Sequence, residues 1–162
     1  MTFTLIHVVI SLIGIATGAV VSLGMLSGKR LDGWSALFLL STAATSVTGF
    51  GFPFDHLLPS HIVGIISLVV LAVASYARYG RQLAGGWRTA YVVGAVAAFY
   101  FNAFVLVVQL FRRVPVLTAL APTQSEPPFA IAQLGVLVLF IALGVLATRN
   151  FARTAAMSGA NR

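Results

Sequence analysis

The sequence predicts an all-α integral membrane protein, a five-transmembrane-helix bundle with its N-terminus outside and its C-terminus cytoplasmic. Three observations carry this. The 162 residues are 59% hydrophobic and only 8% charged, against roughly 25% charged in soluble domains, so the chain cannot cover itself with a polar surface. Its apolar residues gather into blocks, each near the ~20 residues needed to cross ~30 Å of hydrocarbon. Its basic residues stand at the ends of those blocks and form no stripe. The net charge of +7 therefore reads as topology signals and lipid-headgroup contacts, with no nucleic-acid partner. With no cysteine in the chain, disulfides, zinc–thiolate sites and iron–sulfur ligation are excluded.

The first predicted helix covers about 5–26. Its apolar run is longer than the ~7–15 residues of a secretion signal and lacks a basic segment before it; Lys29 and Arg30 follow it, as they would follow a retained span. The second covers about 34–52 and is rich in hydroxyls: Ser41, Thr42, Thr45, Ser46 and Thr48. Such side chains bond their own i−4 carbonyls and pack against small residues on neighbouring helices. The third covers about 60–79, the fourth 90–111 and the fifth 129–148. Residues 1–150 then form a transmembrane domain, and 151–162 a short cytoplasmic tail.

Five crossings put the termini on opposite sides. Call the side of the N-terminus face A and the other face B. Face B receives Lys29, Arg30, Arg78, Arg81, Arg88, Arg149, Arg153 and Arg162, and face A only Arg112 and Arg113. The positive-inside rule makes face B cytoplasmic, in a bacterial inner membrane. Asp55, Glu126, His7, His56, His61 and all six prolines fall on face A. Proline fixes φ and stiffens loops, so rigid connections and most titratable groups share one face. The face B turns LSGKRLDG and YGRQLAGG read as plain connectors.

Residues 45–61, TSVTGFGFPFDHLLPSH, pose the main ambiguity. Val47-Thr48-Gly49-Phe50-Gly51 resembles the glycine-punctuated filter of potassium-channel pore loops over about twenty residues. Against this, Val47 stands where the first hydroxyl belongs and Phe52 where an acid is common. A re-entrant loop would also move Lys29 and Arg30 outside and spoil the charge bias. The favoured reading is the end of a helix loosened by Gly49 and Gly51 and stopped by Pro53.

Face A is where a site is expected. His7 shares one face of the first helix with Ser11, Gly14 and Gly18; Gly14-x-x-x-Gly18 allows close helix approach and could serve a homo-oligomer. Asn102, Gln109 and Arg113 share a face of the fourth helix, and Gln133 lies about one turn into the fifth. An amide in hydrocarbon needs a partner. The candidate ligand-binding set is thus His7, Thr48, Asn102, Gln109, Gln133, Glu126 and Arg113, with the loop at 112–128 as its cap. The competing reading is interhelical hydrogen bonding without a ligand.

The leading expectation is a binding or accessory membrane protein that holds a small ligand, lipid, quinone or partner subunit at its periplasmic face, and is not an enzyme: no nucleophile elbow or Ser-His-acid order is visible. One alternative is a haem- or divalent-metal-binding redox protein using His7 and His61, with Asp55 and His56 as further candidate metal ligands. Another is an oligomeric channel or transporter, although every charge lies near a helix end. With SVTGFGFPF and LAPTQSEPPF together, the chain resembles a group of small polytopic bacterial inner-membrane proteins over most of its length. The resemblance implies no activity, cofactor or catalytic residue.

Overall fold

The computed structural model describes residues 2–52 and 59–160. The described elements are helical: α1 Thr2–Leu26, α2 Asp32–Gly49, α3 Pro59–Ser75, continued by a π-helical turn over Tyr76–Gly80, α4 Trp87–Arg113, α5 Pro115–Leu120 and α6 Pro127–Ala160. Four are long and apolar enough to cross a membrane: Thr2–Leu26, His61–Gly80, Trp87–Arg113 and Pro127–Phe151. By length and composition this is a multi-pass membrane protein.

The helix ends follow local rules. Asp32 in the first turn of α2 complements the helix dipole. At the other end Phe50 N–H bonds Val47 O and Gly51 N–H bonds Thr48 O, tightening the last turn beside the glycines. Arg112 and Arg113 lie in the last turn of α4, where basic side chains favour the carbonyl end. Val114 is extended before Pro115, because proline disfavours helical backbone in the residue ahead of it. α6 continues past Thr148 to Ala160, so helix includes much of the tail.

α2 lacks the hydropathy of the other four because hydroxyls and Asp32 interrupt it. Its 18 residues still rise about 27 Å, and it lies antiparallel along α1. His7 meets Thr48, while Cβ atoms placed on Gly14, Gly18 and Gly24 would meet Thr42, Phe38 and Leu31. α3 and α4 continue this up-down order, with Ser46 bonded to Ser67 and Gly94 against Ala74. α6 packs antiparallel on α4 through Phe99–Phe140 and Phe111–Phe129. α4 is central, touching α1, α2, α3 and α6.

Packing differs between the two ends. Val21, Met25, Phe38, Leu71, Ala77, Leu83, Tyr91, Val92, Ala95 and Phe151 form one buried cluster toward face B. Toward face A, no residue from Thr2 to Ile13 of α1 is fully buried, and every residue from Phe101 to Val108 of α4 is partly exposed. The glycine face expected to serve a second copy is filled from within the chain. A Cβ on Gly18 would lie 2.7 Å from the Phe99 ring, and one on Gly14 3.3 Å from Asn102 Nδ2.

Candidate functional site

On face A, His7 Nδ1 lies 2.8 Å from Thr48 Oγ1. The Thr48 hydroxyl also sits 2.7 Å from the Ala44 carbonyl, which can only accept. A hydroxyl has one proton, and at that distance the carbonyl takes it. His7 must then donate through Nδ1–H. In a neutral imidazole this leaves the lone pair on Nε2, and no hydrogen bond engages Nε2 among the described residues. The Phe52 ring packs edge-on to the imidazole, with centroids 5.1 Å apart. His61 is buried, 5% exposed, and stacks on Phe50 at 5.5 Å. The two histidines thus rest against different aromatic residues at the end of α2. Asp55 and His56 lie outside the described residues, and the described residues contain no group of three metal-ligating side chains.

The amides separate into local bonds. Asn102 Nδ2 donates to Thr42 Oγ1 at 3.1 Å, beside Gly14. Gln133 Nε2 donates to Phe104 O at 3.2 Å, which ties α6 to α4. Its Oε1 is buried without a hydrogen-bond partner among the described residues, as is Thr45 Oγ1. Gln109 accepts from Arg113 Nε at 3.4 Å on an exposed surface. Glu126 turns back on its own loop, accepting from Thr123 Oγ1 at 2.9 Å and from the Ser125 N–H at 3.1 Å. Slight desolvation would raise its pKa, but these hydrogen bonds outweigh it and hold the carboxyl below its ordinary value. The loop itself is pinned to α4, with Gln124 Nε2 donating to Val108 O at 2.8 Å and Thr118 Oγ1 to Phe111 O at 2.8 Å.

Of the predicted set, His7 and Thr48 are in direct contact. Asn102 and Gln133 lie at similar depth in the bundle, since Gly14 faces Asn102 and Phe104 is two residues further along α4. Gln109, Arg113 and Glu126 are held at the outer end. No family model, curated protein or solved structure matches this chain. The chemistry of the site therefore rests on its own residues.

A second polar cluster, on face B, escaped sequence reasoning. Arg78 is 3% exposed. Its Nη2 donates to Arg30 O at 3.0 Å and pairs with Asp32 Oδ1. Its guanidinium lies 4.9 Å from the centre of the Tyr91 ring, a cation–π contact. Tyr91 OH donates to Ser35 Oγ at 3.0 Å, with both residues buried. The turn that follows is no plain connector: Gln82 and Leu83 are left-handed at φ 48° and 61°, and Leu83 is buried with its N–H on Ala77 O at 2.9 Å. The only signal was the YARYG run, in which an arginine sits one helix turn inside the basic end of its block. The π turn rotates that arginine inward, and periodicity at 3.6 residues does not anticipate such a turn.

Proposed function

We propose that the chain crosses a bacterial inner membrane five times, with face A periplasmic and face B cytoplasmic, and that face A binds a small ligand with a hydrogen-donating head, of the quinol or lipid kind. The observation that carries this reading is a set of acceptors at one depth. Among the described residues, His7 Nε2 has no hydrogen-bond partner, and Gln133 Oε1 and Thr45 Oγ1 are buried without one. By helix register they stand level with residues 7–14 of α1, within about 10 Å of depth, in the half of the bundle where packing is loosest. Buried polar atoms without partners are uncommon, and bound molecules are one way they are satisfied. Five crossings are supported by the antiparallel match of α2 to α1, and the orientation by the excess of basic residues on face B.

The free Nε2 of His7 also favours a second reading, ligation of a haem iron or divalent metal by imidazole. One preparation separates the two. Protein purified in mild detergent, and its His7→Ala and Gln133→Leu variants, are compared by ultraviolet–visible spectrum, extracted quinone content and elemental analysis. A quinone that co-purifies with the wild type and falls several-fold in Gln133→Leu supports the first reading. A Soret band or a stoichiometric metal lost in His7→Ala supports the second. If wild type and variants carry neither, and His7→Ala leaves activity in cells unchanged, both fail.

A further inference from the structure

A well-formed groove lies away from face A. It encloses about 500 Å³ between α4 and α6, lined by Val93, Ala97 and Tyr100 on one wall and Leu137, Ile141 and Val145 on the other. These positions recur every three or four residues, so the groove follows both helices as one trough. Small residues open it: Ala97 and Gly144 stand where larger side chains would fill the gap. Tyr100 and Phe140 close its inner end, with ring centroids 5.7 Å apart. Thr148 and Arg149 stand at its outer end, on face B. The Thr148 hydroxyl is spent on Gly144 O at 2.7 Å, so it offers little to a polar ligand. Arg149 is exposed and makes no hydrogen bond or ion pair among the described residues.

We propose that this groove holds one acyl chain of an anionic phospholipid from the leaflet on face B, with the phosphate on Arg149. Depth supports this. From Leu137 to Arg149 a helix rises about 18 Å, and one leaflet contributes about half of a ~30 Å hydrocarbon core. The trough thus begins at headgroup level and ends near the midplane. Charge supports a lipid over a second copy of the chain. Copies in one membrane lie side by side in one orientation, bringing together ends that each carry most of ten basic residues. An anionic headgroup neutralises Arg149, whereas a second copy adds repulsion. The site lies in lipid-facing helices at the end opposite the proposed face A site and does not depend on it.

The test uses full-length protein reconstituted in phosphatidylcholine vesicles, with phosphatidylglycerol or phosphatidylcholine spin-labelled near the chain end. Electron paramagnetic resonance reads the motionally restricted fraction of each. The wild type should prefer phosphatidylglycerol by about five-fold, the scale of one basic residue at the membrane surface. Arg149→Gln should bring that preference to near equality, Arg149→Lys should keep it, and Arg81→Gln, at the same end outside the groove, should leave it intact. Ala97→Phe should reduce the restricted fraction for both lipids. An Arg149→Gln protein that keeps its preference overturns the proposal. So does an Arg81→Gln protein that loses as much, since the selectivity would then come from diffuse surface charge. A wild-type dimer that Ala97→Phe splits would show that a second copy covers the groove. If Ala97→Phe loses its helical circular dichroism, the arginine variants decide alone.

Discussion

Gly18 is held by contact with its neighbours. A Cβ there would stand 2.7 Å and 2.9 Å from Phe99 ring atoms and 3.0 Å from Phe38, and both rings are packed on several sides. Gly18→Ala should therefore cost about 1–3 kcal/mol through overpacking, while Gly33→Ala, with nothing within 4 Å, should be near neutral or mildly stabilising. Thermal unfolding of both variants in one detergent checks this. Arg78 sets up an asymmetry of another kind. Its side chain is 2% exposed, whereas that of Asp32 is 73% exposed. Removing the acid leaves a buried cation beside a carbonyl and the rings of Tyr79 and Tyr91, with no counter-charge on it; removing the cation leaves an acid that water can solvate. Asp32→Asn should then lose about 1–3 kcal/mol, between an exposed pair and a fully buried one because Asp32 is so exposed. Arg78→Met, which keeps volume, should lose less. Equal losses, or the reverse order in the same unfolding assay, would sink the argument.

At the scale of elements, the loop before α6 depends on the ionised form of Glu126. The carboxylate accepts from Thr123 and Ser125 while the residue's carbonyl accepts the Phe129 N–H at 3.1 Å. Because the folded pKa lies below the ordinary value of 4.5, the contribution is complete above that value and is lost as pH falls through the folded pKa. Hydrogen exchange at residues 123–130 should be steady in protection from pH 7 down through 4.5 once the intrinsic rate is divided out, and weaken only at lower pH. Glu126→Gln should abolish that dependence. Four long helices were legible because each is a near-continuous apolar run, and α2 was legible from its length even though its hydroxyls lower its hydropathy. α5 was not: six residues are too few for periodicity, and Pro115 was read only as stiffening a loop. The π turn at Tyr76–Gly80 was hidden for the same reason, since it adds one residue to a turn without changing composition.

For the whole molecule, the decisive prediction is topology. A reporter fused after Arg162 should prove cytoplasmic and one inserted between Thr123 and Glu126 periplasmic; the opposite result would invert every assignment of face A. The tight half of the bundle lies at face B and the loose half at face A. Composition and its blocks already pointed to a membrane, because a chain 59% hydrophobic and only 8% charged has too few polar side chains to cover its long apolar helices in water. Charge placement sorted the loops between the two faces. Only the tertiary structure decided which polar groups meet. It joined His7 to Thr48 and Asn102 to Thr42, kept Gln109 and Glu126 to local partners, and buried Arg78 against Tyr91. The reason is geometric. Sequence spacing sets the face on which a side chain stands within its own helix, but partners come from the rotation and register of neighbouring helices, which packing between them determines.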